Sequence, residues 1–422
     1  MSGHLGSDVA DRSLAGGGAR RIDWAARDMR VLARIAERFG REQPLRGVRI
    51  AACLHVTAET ANLVRTLAAG GADVVLVASN PLSTQDDVAA ALVERHGIRV
   101  LARRGEDRET YYGHISTAVD HAPHITMDDG ADLIGVLHGT RRDGIAHVIG
   151  GTEDTATGII RLRALHASDG LAFPVFAVNG ADTTRMFDTR YGAGQSVVDG
   201  LLRATNVLIA GRRALVAGYG GTGRGVAERL RGLGALVSVA EVDALRALEA
   251  VMDGFDVRPL ADAARECDVF VTATGDVGVI REEHFAVMRD GALIANAGHF
   301  DVEIDLAALR SMSTAVRTAR PHVQEYRLAD GRTVCVLAEG RVLNLGVAEG
   351  HPAAVMDVAG ACQALLVEHL LRHEGRLEPG VHAVPSDVDR EIASVKLQTL
   401  GVTIDELSDT QRAYLDSWAQ GT

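Results

Sequence analysis

Short apolar runs alternate along this chain with stretches whose apolar residues recur at helical spacing. VRIAACLHV and ADVVLVASN are runs of strand length, and each leads into a helical pattern, TAETANLVRTLAAGG and DDVAAALVERHG. That alternation predicts parallel strands crossed over by helices, an α/β fold whose ligands sit beyond the strand C-termini. His55, Thr57, Glu59 and the segment 79–85 fall at such ends. Ahead of them, IDWAARDMRVLARIAERFG puts Trp24, Met29, Leu32, Ile35 and Phe39 on roughly one helical face and stops near Gly40. ITMDDGADLIGVLH predicts a strand ending in the paired acids Asp128 and Asp129. GTEDTATGIIRLRAL predicts a polar, threonine-rich loop and helix start, and FPVFAVN a further strand. A first unit then runs to about residue 188, and a connecting helix follows over 192–205.

The clearest local pattern is RRALVAGYGGTGRGVAERLRGLGALVSVAEVD. An apolar strand, Ala214 to Ala217, runs into Gly218, Gly220 and Gly223, then a helix, then a second strand ending at Glu241. The first glycine permits a tight turn, the second lets the backbone approach a pyrophosphate, and the third lets helix and strand pack closely. Glu241 stands 23 positions after Gly218, where a carboxylate accepts both ribose hydroxyls and repels a 2'-phosphate. A bare glycine motif is weak, but with this strand, helix and acid around it the expected ligand is a dinucleotide, NAD before NADP. The competing readings are a domain without ligand or one binding another adenine compound such as S-adenosylmethionine. Strand and helix alternation continues through CDVFVTATG, HFAVMRDGALIANAG and VCVLAEGRVLNL. CQALLVEHLLRH then predicts a helix returning to the first unit, and the last segments a small helical tail suited to an oligomer contact.

Composition narrows the class. A chain of 422 residues, 47% apolar and 24% charged, predicts two or three domains with substantial cores. The formal charge of -12, with arginines mixed among acids, argues against nucleic acid as a partner. Cys53, Cys267, Cys335 and Cys362 are widely spaced, as expected of reduced core thiols and not of a disulfide frame or a metal site. With neither a signal-like start nor an uninterrupted apolar run of membrane-spanning length, the expectation is a cytoplasmic enzyme with no membrane partner.

ACLHVTAETANL, LSTQDDVAAAL, DDGADL, TEDTATG, DGLLRATNVLIAG, VAGYGGTGRG, NAGHFDVEID and NLGVAEGHPAAVMD together resemble the S-adenosylhomocysteine hydrolase family, from about Asp11 to about Leu415. The resemblance implies a Rossmann-like NAD-binding domain (189–351) inserted in a larger α/β substrate-binding domain (1–188 and 352–390). It also implies a helical oligomerisation tail (391–422) and a homo-oligomer, tetramer or dimer. The implied chemistry oxidises a ribose 3'-hydroxyl with bound NAD, removes the 4'-proton, expels the 5'-substituent, adds water and reduces the ketone again. Thr57 and Glu59 match adenine readers, and His55 a residue near the 5' end of the substrate. Asp129 matches an acid-base carboxylate, with Asp128 beside it either supporting or structural. His299 and His351 match residues around ribose and nicotinamide, Asn344 a carboxamide contact and Asp188 a ribose-hydroxyl binder, while Asn179 and Thr155 line the same cleft. An acid at a strand end is also a common helix cap, and a histidine in a glycine-flanked turn can serve only the backbone.

Departures from the family pattern gather at one edge of the implied sugar. In VNGADTTRMFDTRYG, Thr184 stands where the family has a lysine near the 3'-hydroxyl, and a threonine neither reaches as far nor carries an amine. Arg185 next door points elsewhere. Thr189, on the cofactor side, replaces an asparagine, Asp154 replaces a glutamate that reaches a ribose hydroxyl, and Ala193 stands where many members have cysteine. The terminal WAQGT lacks the Lys and Tyr arm that reaches a neighbour's NAD. These changes suggest a different sugar or leaving group on an adenine nucleoside. The leading expectation is an NAD-dependent dehydratase of the angustmycin-type antibiotic pathway, acting on a psicofuranosyladenine. The alternatives are hydrolysis of S-adenosylhomocysteine with a rebuilt proton relay, and an inactive regulatory paralogue.

Overall fold

The computed structural model describes residues 6–298 and 300–418. Two eight-stranded sheets carry the described chain. The first uses β1 (Asp8–Val9), β2 (Arg49–Leu54), β3 (Asp73–Ala78), β4 (Arg99–Ala102), β5 (Ile125–Asp128), β6 (Gly150–Glu153) and β7 (Pro174–Ala177). The second uses β8 (Arg213–Ala217), β9 (Leu236–Ala240), β10 (Asp256–Val257), β11 (Val269–Thr272), β12 (Ala292–Asn296), β13 (Ser313–Arg320), β14 (Val323–Leu328) and β15 (Thr333–Leu337). β16 (Gly380–Ala383) returns to the first sheet.

The first sheet is ordered β1-β4-β3-β2-β5-β6-β7-β16 and its pairings are all parallel. Helices cover both faces, so its central strands β2 and β3 are nearly continuous apolar runs without alternation. Strand order reverses between β2 and β5, the place where an open α/β sheet leaves a crevice at its C-terminal edge. The second sheet runs β10-β9-β8-β11-β12-β15 in parallel, the doubly wound dinucleotide order, and an antiparallel ribbon of β14 and β13 extends it. A Rossmann-like unit inserted in a larger α/β unit is therefore the architecture. The helix Ala353–Arg372 closes it by packing back on the first sheet. That helix is long and apolar enough to cross a membrane, but 78% of its apolar window is buried as core.

Some elements differ from expectation. The N-terminal helical pattern is two helices, Ala15–Ala26 and Arg30–Glu42, and Trp24 is 68% exposed under the Arg27 guanidinium instead of facing the core. The opening of GTEDTATG is strand β6, not a loop. Its glycines suit that place because a Cβ on Gly151 would lie 2.3 Å from Thr126 Oγ1 of the neighbouring strand. The short edge strands β1, β10 and β16 and the ribbon β13–β14 carry too few apolar residues to stand out in the sequence.

Candidate active site

VNGADTTRMFDTRYG folds as one turn of helix, Asp182–Arg185, followed by a π-helical turn, Met186–Gly192, that continues into the helix Ala193–Thr205. π-turns recur at functional sites because the extra residue re-aims side chains. Here the turn sits on the glycine-motif helix Gly221–Gly232 so closely that a Cβ on Gly225 would lie 2.0 Å from Arg190 O. It directs Asp188 to His351, with Oδ1 2.9 Å from Nε2. The other ring nitrogen of His351 is 3.4 Å from Ser196 Oγ, which donates to Gly192 O at 2.9 Å. Burial works against a charged His351, but the Asp188 charge outweighs it and raises the imidazole pKa.

A second pair bridges the switch point of the first sheet. His55 follows β2 and Asp129 follows β5, and His55 Nε2 lies 3.3 Å from Asp129 Oδ2. The Nδ1 atom of His55 is 2.6 Å from Ser83 Oγ and 3.3 Å from Ser79 Oγ. His55 thus stands between the Asp129 carboxylate and two serine hydroxyls that share its Nδ1, a cluster of groups suited to holding or moving a proton at the C-terminal edge.

Around these pairs stand the other predicted residues. Thr57 is the N-cap of the helix Ala58–Ala69, accepting from Thr60 N at 3.4 Å. Burial pushes the Glu59 carboxyl up, and Glu59 and His351 flank a cavity of about 350 Å³ that Arg21, Gln85 and Ser196 also line. Burial, then the like charges of Asp129 and Asp188, push the Asp154 carboxyl well up, and Gln363 Nε2 donates to its Oδ2 at 3.0 Å. Thr155 caps the helix Ala156–Ala167 and gives its hydroxyl proton to Glu153. Asn179 lies half-buried in the 3-10 turn after β7. His299 lies outside the described residues.

Thr184 is 2% exposed, and its hydroxyl, against the Cys362 thiol, has no hydrogen-bond partner within ordinary distance. Arg185 is exposed and ion-pairs with Asp182 at 2.8 Å, so it points away as expected. No lysine elsewhere fills the gap. Lys396 is the one lysine in the sequence, and its Nζ is committed to the buried Asp357 carboxylate at 2.8 Å.

The glycine motif fits a dinucleotide. No side chain caps the helix Gly221–Gly232, so its first amides stay open to phosphate. A Cβ on Gly220 would meet nothing closer than Arg246 Nη1 at 3.6 Å, which leaves the backbone face clear for a pyrophosphate. Gly218 has φ +95, the left-handed turn that the motif requires. Glu241 accepts from Tyr219 N at 2.6 Å, Val242 N at 2.7 Å and Asp243 N at 3.0 Å. Burial opposes its charge, but those amides prevail and hold its pKa low. Asn344 Oδ1 is buried without a partner, as a ligand-facing amide would be. Thr189 spends its hydroxyl proton on Arg185 O at 2.7 Å.

Residues 7–147 match the family described as S-adenosyl-L-homocysteine hydrolase, and residues 189–350 match that family's NAD binding domain. A protein named adenosylhomocysteinase from Aquifex aeolicus is 56% identical over 98% of this chain and 99% of its own. Proteins of the same name from Thermosynechococcus vestitus and Saccharolobus solfataricus are each 54% identical, over 98% of this chain and 97% and 99% of theirs. The chain belongs to the adenosylhomocysteinase family. It is an NAD-binding enzyme of that family, with NAD as its cofactor.

Two expectations fall with that finding. The departures at Thr184, Asp154, Thr189 and Ala193 do not mark a dehydratase of a psicofuranosyladenine, nor a diverged member from a nucleoside-antibiotic pathway. Similarity to adenosylhomocysteinases at this level over nearly the whole chain outweighs four positions in one cleft. The physical error lay in reading a lost amine as a changed substrate. Asp188 and His351, and Asp129 and His55, still face each other as two pairs. Sequence reasoning also passed over Glu153, Gln363 and Ser196. None of the three stood out, Glu153 least of all, because its stretch was expected to be a loop and is strand β6.

Proposed function

We propose that this enzyme hydrolyses S-adenosylhomocysteine to adenosine and homocysteine. The observation that carries the reading is the identity of 50–56% to adenosylhomocysteinases from end to end of the chain. The two acid–imidazole pairs supply groups suited to the chemistry.

Bound NAD supplies reversible oxidation at the ribose 3'-carbon, which makes the neighbouring 4'-hydrogen acidic enough for a carboxylate or imidazole to remove. Glu241 would hold the ribose hydroxyls of the cofactor, the amides after Gly218 and Gly220 its pyrophosphate, and Asn344 its carboxamide. On the substrate, Glu59 accepts from the exocyclic amine of adenine, with Thr57 beside it. Asp154, Thr155, Asn179 and Asp188 face the sugar. With Thr184 in the lysine place, His351 and Asp188 are the groups left to take up the 3'-hydroxyl proton, Asp188 accepting it with His351 as counter-charge. Asp129 takes the 4'-proton. His55, backed by Ser83 and Ser79, handles the proton of the departing thiol and of the incoming water, a step in which His299 also belongs.

The domain limits of this reading are 1–188 with 352–390 for substrate, 189–351 for NAD and 391–422 for the tail. Exposed Ile404, Leu407, Tyr414, Leu415 and Trp418 on that tail favour a homo-oligomer, a tetramer or dimer. The buried free thiols Cys53, Cys267 and Cys362 accord with a reducing cytoplasm. The test is to denature the purified protein and assay released NAD, then follow thiol release from S-adenosylhomocysteine and its reverse from adenosine and homocysteine. A holoenzyme that turns over neither way overturns the proposal.

A further inference from the structure

Asp128 and Glu153 are 1% and 0% exposed, and they end adjacent parallel strands in direct register. Two buried carboxylates side by side are costly unless something uses them. Each is spent on the loop that carries Asp129. Asp128 Oδ1 accepts from Asp129 N at 3.1 Å, and its Oδ2 from Ile134 N at 2.9 Å. Glu153 Oε1 accepts from Gly130 N at 2.9 Å and Oε2 from Ala131 N at 2.9 Å. Three successive amides, 129, 130 and 131, are therefore held by two side chains from the strand ends.

The backbone they hold would not stay there unaided. Gly130 has φ +117 and Ala131 φ +61, and a left-handed alanine is strained. Glu153 itself has no freedom. Its Oε1 also takes Thr155 N at 2.8 Å and Thr155 Oγ1 at 2.7 Å, and its carboxyl presses on Gly158, where a Cβ would lie 2.2 Å from it. From the outer side, Arg161 donates to Gly130 O and to Asp132 Oδ1. The product of this cage is one fixed direction for the Asp129 side chain, toward His55 Nε2.

We propose that Glu153, seconded by Asp128, is a positioning residue that sets the Asp129 carboxylate for the proton transfer at the 4'-carbon. The inference rests on the hydrolase reading and deepens it. It separates two halves of the reaction that a general loss of structure would not separate. Oxidation of the 3'-hydroxyl lies with Asp188 on the π-turn and its partner His351, outside the cage, while 4'-proton removal depends on it.

The test variant is Glu153→Gln. Its amide oxygen still serves Gly130 and Thr155, but its NH2 faces the Ala131 N–H, donor against donor. Holoenzyme is mixed rapidly with adenosine, and two signals are read: absorbance of reduced nicotinamide, and entry of solvent deuterium at the 4'-carbon. The expected result is reduction near the wild-type amplitude, KM within about threefold, and 4'-exchange and kcat down roughly a hundredfold, the loss that a misplacement of about 1 Å causes. Melting and NAD content of the same sample establish that it is folded. If Glu153→Gln does not fold, Asp128→Asn, which weakens the hold on Asp129 N or Ile134 N, takes its place with the same expectation. Equal loss of reduction and exchange, no loss of either, or failure of both variants to fold overturns the proposal. A wild-type holoenzyme that shows neither signal with adenosine overturns the hydrolase reading beneath it.

Discussion

Two glycines of the cofactor motif, three positions apart, should respond to the same added methyl in opposite ways. At Gly223 a Cβ would lie 1.9 Å from the carbonyl oxygen of Gly218 and 2.8 Å from its carbon. Both are backbone atoms, so no rotamer relieves the contact. A carbon and a carbonyl oxygen approach to about 3.3 Å, so roughly 1.4 Å of separation must be found between the helix Gly221–Gly232 and the turn that feeds it. That helix buries Val226, Ala227 and Leu230 in the core of the second sheet. Prying it off loosens all three, at a cost of about 3 kcal/mol, the upper range for overpacking. In a unit of this size that corresponds to a fall in Tm of about 6–12 °C. At Gly220 the backbone has φ -69 and ψ -171, which alanine adopts freely, and the only atom a Cβ would meet within 4 Å is the far end of Arg246. Gly220→Ala should therefore melt within about 2 °C of the parent. Its methyl stands where the pyrophosphate must approach, so NAD affinity should fall about a hundredfold, close to 2.7 kcal/mol.

The assay needs protein stripped of cofactor, because bound NAD would raise every melting temperature by mass action and mix the two effects. Thermal scans then give stability, and calorimetric titration with NAD gives affinity. Gly220→Ala binding NAD like the parent would refute the reading of the open face as the pyrophosphate seat. Gly223→Ala melting like the parent would refute the close approach of helix and turn.

Other outcomes follow from the same geometry. Burial pushes the Glu153 carboxyl up to about 7 from an ordinary 4.5, so its protonated form is the one that folding favours. Stability from this group is full below about 4.5 and is lost as pH rises through 7, by on the order of 3 kcal/mol before neighbours such as Asp128 relax; denaturant midpoints that do not fall between these limits, relative to Glu153→Gln, would contradict it. Thr184→Lys restores an amine among the carboxyl groups of Asp154 and Asp188, and homocysteine release should rise about tenfold; an unchanged or lower kcat in a folded variant would show that His351 and Asp188 already suffice. Glu241→Ser removes the carboxylate that repels a 2'-phosphate, so the ratio of NAD to NADP affinity should drop by at least about tenfold, a shift that paired titrations would detect or exclude.

Elements that bury both faces of a strand were legible because their residues are apolar without interruption: β2, β3, β8 and β11 stand out in the chain as they do in the sheets. β6 was not legible, although it lies between β5 and β7, because GGTE has no apolar residue and owes its extended form to the neighbours that leave room only for glycine. The same limit applied to the site. His55 and Asp129 could be placed at strand ends, and Asp188 at the end of the first unit, but Thr57 and Thr155 carry cap duties that spacing alone left open. Glu153 was invisible as a positioning group because its four partners are backbone amides and one hydroxyl, and amides leave no mark in a sequence.

Thr184 shows the opposite failure, a position that was legible and was given too much weight. An amine missing from a ring of carboxylates looks like a change of chemistry when residues are compared one at a time. In the fold, the loss leaves a buried hydroxyl without a partner and an Asp188 paired with the His351 imidazole. An imidazole whose pKa is raised by that carboxylate keeps its proton longer than a free one, and it still releases a proton more readily than an amine does. If the proposed assignment of the 3'-hydroxyl proton to this pair holds, the family reaction can run without its lysine, with a dependence on pH set by a histidine.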